Sequence, residues 1–171
     1  MKIKKILNPA WIKHVPKPWI LSLATLGPVG NKLFAPGTWA SFAGLWFYTF
    51  CFYGLSPLSF LCLAILSSYL AGVICHAAEH NLQEKDPDCI VLDEFTAMPI
   101  CFFGFHVRPE THALWVFLLT GFLLFRYFDI WKPLGIYKLQ DLRGGLGIML
   151  DDLAAALATN VVLHGIFHFL C

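Results

Sequence analysis

An all-α, polytopic membrane helical bundle is the fold class this sequence predicts, and three observations carry it. The chain of 171 residues is 58% hydrophobic and 13% charged, whereas a soluble domain is usually near a quarter charged. Residues 33–78 form a run of 46 without Asp, Glu, Lys or Arg, about twice the ~20 residues one helix needs to cross the hydrocarbon core. A second uncharged run, of 19 residues, occupies 153–171. A solvated surface could hardly be built from this composition. The net charge of +1, with no basic patch interleaved with aromatics on a polar face, gives no footprint for nucleic acid.

Taken in order, residues 1–32 read as a basic interfacial arm, and 33–171 as a single membrane domain. The arm carries Lys2, Lys4, Lys5, Lys13, Lys17 and Lys32 and no acid. Pro16 and Pro18 break any long helix in it, and Trp11 and Trp19 suit a headgroup boundary. Its basic start runs into prolines and a tryptophan, unlike a cleaved signal peptide. The long uncharged run has a turn signal at Gly54-Leu55-Ser56-Pro57, so it reads as a hairpin of two spans, about 39–53 and 58–78. Its opening, Ala35-Pro36-Gly37-Thr38-Trp39-Ala40-Ser41, reads as a tight turn into a helix with Thr38 as N-cap, or as a loop facing a phosphate.

Asp86-Pro87 has the form of an N-cap followed by proline at the first helical position, which predicts a helix from 87 to about Val107. Its apolar part, 95–107, is short for a span. That segment and the irregular start before Trp39 are the two candidates for re-entrant or tilted elements. Arg108-Pro109-Glu110 closes the helix. Residues 111–128 form the next apolar helix, ending at Lys132-Pro133, and 153–171 the last.

Five membrane-embedded helices with the N-terminus inside put residues 1–32, 79–94 and 126–152 on one face. Eleven of the twelve Lys and Arg then lie inside, as the positive-inside rule requires. Both charge clusters come to the cytoplasmic face. The six cysteines (51, 62, 75, 89, 101 and 171) form no CxxC pair and read as inert buried thiols. His76 and His80, spaced i, i+4, lack a third nitrogen or sulfur ligand and read as interface histidines.

The chemistry is carried by charges beside apolar helices, which are expensive there and functional by default. Arg126, Asp129 and Lys132, at i, i+3 and i+6, share roughly one helix face. They are either a salt-bridge ladder or an acid for a metal flanked by two cations for a phosphate. Gly144-Gly145-Leu146-Gly147 precedes Asp151 and Asp152. The glycines allow a backbone to bend around a ligand, while adjacent acids on a helix point ~100° apart. Asp93-Glu94 repeats the paired acids, with Asp86 two helical turns earlier. Glu79, Glu84 and Asp88 read as solvated charges. If Asp86, Asp93, Glu94, Asp129, Asp151 and Asp152 converge with Arg126 and Lys132, an oxygen-only set favours Mg²⁺, with Mn²⁺ second, over zinc. Carboxylates holding such a cation, with cationic side chains for a phosphate, make a phosphoryl-transfer site. At a membrane face the substrate would be a lipid phosphate.

The stretches Pro36-Gly37-Thr38-Trp39-Ala40-Ser41, Asp86-x6-Asp93-Glu94-Phe95, Phe125-Arg126-Tyr127-Phe128-Asp129-Ile130-Trp131-Lys132-Pro133 and Gly144-Gly145-Leu146-Gly147-Ile148-Met149-Leu150-Asp151-Asp152 resemble the phosphatidylglycerophosphatase A family, in its order and spacing. Ala40 and Ala97 stand where the family commonly has glycine, both small-for-small changes. The resemblance implies a Mg²⁺-dependent bacterial inner-membrane enzyme that hydrolyses phosphatidylglycerophosphate to phosphatidylglycerol and inorganic phosphate.

On that reading Asp93, Glu94, Asp129, Asp151 and Asp152 are the catalytic acids and, with Asp86, the metal ligands. Thr38, Arg126 and Lys132 bind the phosphate, and water activated by the metal or a carboxylate attacks it. The apolar helices hold the diacylglycerol part in the bilayer. The competing class is a small membrane transporter with a carboxylate-lined path, whose charges should lie near the bilayer midplane.

Overall fold

The computed structural model describes residues 9–105, 112–141 and 145–170. Expectations for Lys2, Lys4, Lys5, the 108–110 turn, Arg143, Gly144 and Cys171 fall outside them. Every regular element among the described residues is helical. We label the α-helices α1 (Lys17–Ala24), α2 (Pro28–Lys32), α3 (Pro36–Phe47), α4 (Pro57–Leu82), α5 (Leu92–Ala97), α6 (His112–Trp131) and α7 (Gly145–Leu170). Short 3₁₀ segments cover Ala10–His14, Met98–Phe102 and Pro133–Asp141, and a π-helical turn, Tyr48–Phe52, extends α3.

Among the described residues three helices are long and apolar enough to cross a membrane: Pro57–Leu82, Leu114–Trp131 and Gly147–His168. The 26 residues of α4 give a rod of ~39 Å at 1.5 Å per residue. Ser56 caps it, its hydroxyl accepting from the Ser59 N–H at 3.2 Å, and Pro57 takes the first helical position, where its missing N–H costs nothing.

The other two expected spans are shorter than these three. α3 with its π-helical extension covers 17 residues, 36–52. The helix expected over 87–107 does not start at 87, and Asp86 is not its N-cap. The backbone at Asp86 is left-handed, φ 53°, and the Val91 N–H is taken by the Ala24 carbonyl of the arm at 2.9 Å. The helix begins only at Leu92 and passes into the 3₁₀ turn at Met98.

These eleven residues, 92–102, rise ~19 Å, too little to span. They form a plug inside the bundle, with Ala97, Met98, Cys101 and Phe102 fully buried. Gly44 of α3 lets it in: a Cβ there would sit 2.6 Å from the Met98 Cβ. The plug ends among protein groups. Asn160 of α7 donates to the Cys101 and Phe103 carbonyls at 3.0 and 2.9 Å. This satisfies irregular backbone that lipid could not.

Aromatic rings fill the half of the core around the plug. Phe102 packs on Tyr48 at 4.6 Å and on Phe117 at 5.1 Å between ring centroids, and Phe47 stacks on Phe95 at 4.7 Å. A second cluster joins the arm to the other half of α4, burying Ile12, Ile20 and Ala24 against Ala71, Val73, Cys75 and Ala78. The arm is therefore packed structure, with Trp11 and Trp19 left exposed. Its contact with Val91 fixes the segment leading to Asp93.

Candidate active site

The ends of α3, α4, α5, α6 and α7 meet at one end of the bundle around a cleft of about 320 Å³. Ala35, Pro36 and Gly37 line it from the start of α3, and Asp86 and Asp88 from the segment after α4. Asp93 and Glu94 come from α5, Arg126 and Asp129 from α6, Lys132 from just past it, and Asp151 and Asp152 from α7. The two acidic stretches expected from sequence are thus brought together. Asp93, Asp129, Asp151 and Asp152 are all buried.

Arg126 ties three elements. Its Nη1 donates to Asp129 Oδ2 at 2.7 Å and to Ser41 Oγ at 3.3 Å, and lies 3.2 Å from Glu94 Oε1. Ser41 is fully buried and donates in turn to the Gly37 carbonyl at 2.8 Å. Gly37 is required by close approach: a Cβ would lie 2.1 Å from Glu94 Oε1. Lys132 leaves the α6 helix in a left-handed conformation, φ 42°. Its N–H still closes the last turn on the Phe128 carbonyl at 2.9 Å, and its ammonium pairs with Asp151. The expected ladder of Arg126, Asp129 and Lys132 is therefore realised only between the first two. Of the five non-glycine residues with left-handed backbone among the described residues, Ala35, Asp86 and Lys132 line the cleft, the kind of place where such strain is retained.

Two local expectations are corrected. Thr38 is not the N-cap of α3; Ala35 is, without a side-chain cap bond, and Pro36 takes the first helical position. The start favoured by proline moves the helix back, so Thr38 lies in its first turn, outside the cleft lining. Gly145 and Gly147 are helical in α7, so those two glycines form no loop. Asp88, expected as a solvated charge, is exposed and lines the cleft mouth; sequence reasoning missed Ser41. Ser41 lay inside the quoted Pro-Gly-Thr stretch, and its spacing of i+4 from Gly37 was its one available signal.

Electrostatics explain what the cleft needs. Among the described residues seven carboxyl groups and two cations line it, an excess of five acidic side chains. Burial pushes the Asp93 carboxyl well above the usual range, reinforced by Glu94 beside it. Burial and the charge of Asp129 push Glu94 up to about 7, against the pull of Arg126. Burial draws the Lys132 ammonium down, but the hydrogen bond to Asp151 and its charge hold it above the ordinary lysine value.

Glu94 Oε2, Asp151 Oδ1 and Asp152 Oδ2 are buried without a hydrogen-bond partner, as is Arg126 Nε. Orphaned carboxylate oxygens in a negative cleft fit a bound cation, and an orphaned guanidinium N–H beside them fits an anion. Among the described residues no three His, Cys, Asp or Glu side chains already converge on one metal position.

Comparison with known proteins gives a consistent picture. A family model described as phosphatidylglycerophosphatase A matches residues 22–167. A phosphatidylglycerophosphatase A of Haemophilus influenzae is 34% identical over 138 residues, covering 80% of this chain and 81% of that protein. The one of Escherichia coli is 30% identical over 153 residues, covering 88% and 84%. A protein of Bacteroides thetaiotaomicron, provisionally named a phosphatidylinositol-3-phosphatase, is 27% identical over 137 residues, covering 78% and 84%. No solved structure matches.

Proposed function

The chain belongs to the phosphatidylglycerophosphatase A family, of lipid phosphatases, and from that premise we propose that it hydrolyses phosphatidylglycerophosphate to phosphatidylglycerol and inorganic phosphate. The observation that carries the reading is the cleft in which Arg126, flanked by Glu94 and Asp129, faces Asp151 and Asp152 at the end of three apolar helices. The relatives' names share a phosphomonoester on a lipid headgroup, and two of the three specify phosphatidylglycerophosphate.

Asp93, Glu94, Asp129, Asp151 and Asp152, with Asp86 at the rim, would hold one or two divalent cations, Mg²⁺ or in its place Mn²⁺. When bound, the cation supplies Lewis-acid chemistry, offsetting phosphate charge and making water more acidic. The residues do the rest. Arg126 offers its unpartnered Nε–H to a phosphate oxygen, a charge-assisted bond. Lys132, held by Asp151, supplies the second cation at the rim. A cleft carboxylate with an unpartnered oxygen, on Glu94, Asp151 or Asp152, accepts the proton of the attacking water. The new P–O bond forms as the bond to the headgroup glycerol oxygen breaks, and that oxygen takes a proton. The N-terminal end of α3, opening on the cleft, adds a favourable dipole for the anion. The site would face the cytoplasm of a bacterial inner membrane, the side on which the positive-inside rule would put the basic stretches of the sequence.

Purified protein in detergent should release phosphate from phosphatidylglycerophosphate, stop with EDTA and recover with Mg²⁺. Phosphatidylinositol 3-phosphate, offered in parallel, should be a poor substrate. Asp129→Asn should keep helical content and lose phosphate release by at least ~10²-fold, the cost of removing one well-placed charged group in catalysis. Turnover retained in the variant, or unaffected by EDTA, would remove Asp129 or the cation from the reading.

A further inference from the structure

Outside the charged cleft, an apolar groove of about 300 Å³ runs between α3 and α6. Phe42, Leu45 and Trp46 form one wall, and Leu118, Leu119 and Phe122 the other. Each wall continues a helix face that ends in the cleft. On α3 the steps are Leu45, Ser41 and Gly37, each four residues apart; on α6 they are Leu118, Phe122 and Arg126. Side chains at i and i+4 stack on one face, so the stripe passes directly from apolar to charged.

The join is a physical contact. Phe42 meets Phe122 edge-on, with ring centroids 6.4 Å apart, and their neighbours Ser41 and Arg126 are hydrogen-bonded. Phe122 lies ~6 Å below Arg126 along the helix, and Trp115, at the far end of the groove, ~16 Å below it. Leu119, Trp46 and Trp115 are about half-exposed or more, at 57, 46 and 64%, so the groove opens sideways from the bundle.

We propose that this groove is the acyl-chain subsite of the enzyme: one fatty-acyl chain of the lipid substrate lies in it while the headgroup reaches Arg126. The inference rests on the lipid-phosphatase reading above. The occupant follows from continuity, because a phosphomonoester held at Arg126 and anchored in the bilayer has its hydrocarbon nearest the wall that begins one turn away. The exposed apolar face of α4, with Leu58, Leu61 and Ile65, has no such connection to the cleft. The groove would select for chain length and shape, and position the headgroup by restraining the lipid's depth.

Two measurements test this. In the first, Leu119→Trp fills the groove from its exposed side, and KM is compared for long-chain and monomeric dihexanoyl phosphatidylglycerophosphate. The long-to-short KM ratio should rise about tenfold, the effect of losing contact with one or two methylenes. Ile65→Trp, on the outer face of α4 and 69% exposed, should leave the ratio unchanged. In the second, the unmutated protein is photolysed with phosphatidylglycerophosphate carrying a mid-chain diazirine, and the adducts should concentrate on 42–49 and 114–122. An unchanged ratio in Leu119→Trp, or adducts equally abundant on the outer face of α4, would overturn the subsite. If neither soluble nor long-chain substrate releases phosphate, the phosphatase reading fails instead, and the adduct map still decides whether the groove takes a chain.

Discussion

Gly37 shows how much of the site turns on single atoms. The Glu94 carboxylate lies where a Gly37 Cβ would be, and Glu94 is also 3.2 Å from Arg126. Gly37→Ala should leave the fold intact, because the displaced group is the end of a side chain. It should still push Glu94 off Arg126, and misplacement by about 1 Å can cost ~10²-fold in rate. A drop in kcat of ~10–100-fold with an unchanged melting temperature in detergent is the expected result; a kcat within twofold of wild type would show that Glu94 needs no fixed position.

At this scale the charged residues were legible in the sequence because a charge beside an apolar helix has few uses. Ser41 and Gly37 were not, since their roles depend on Arg126, 85 residues from Ser41 along the chain. Thr38, the residue favoured by capping preference, lost its place to the proline two positions earlier.

Among the elements, the plug at 92–102 was the least readable. Hydrophobic pattern marks it as apolar, and its length as short, but pattern cannot say whether a short helix is tilted across lipid or buried in protein. What decides is tertiary: the arm's Ala24 carbonyl holds the Val91 N–H, and Asn160 takes the two carbonyls at the other end. Asn160→Leu keeps the volume and strands the Cys101 carbonyl, while the Phe103 carbonyl keeps His164 Nε2 at 3.1 Å. Each unsatisfied carbonyl costs about 1–3 kcal/mol, so thermal unfolding should occur at a clearly lower temperature than in wild type, with Phe102 and its neighbours losing hydrogen-exchange protection first. An unchanged melting temperature would mean that the plug ends are held by packing alone. By contrast α4, α6 and α7 were plain in the sequence, because a long uncharged run leaves one structural solution in a bilayer.

For the whole molecule, the direction of each helix matters more than the number of crossings. The sequence suggests five membrane-embedded helices; among the described residues three meet the length of a crossing, while α3 with its π-helical turn has 17 residues and the plug eleven. The cleft residues nevertheless come to one end, because α4 and α6 finish there and α7 starts there. Because α4 and α6 both finish at the cleft, the chain has to return across the bundle before each of them, so the short elements still count in the topology. Lys85 and Lys132 lie at the cleft end and the 53–56 turn at the other, and the proposal that the cleft faces the cytoplasm can be tested on that difference. In a bacterial host, with Cys51 and Cys62 replaced, Ser56→Cys should react with a membrane-impermeant maleimide in intact spheroplasts. Glu84→Cys should react only after permeabilisation. Labelling of both positions from one side would break the α4 crossing on which this arrangement depends. The reverse pattern would keep the crossing and turn the cleft outward, which would overturn the proposed cytoplasmic orientation.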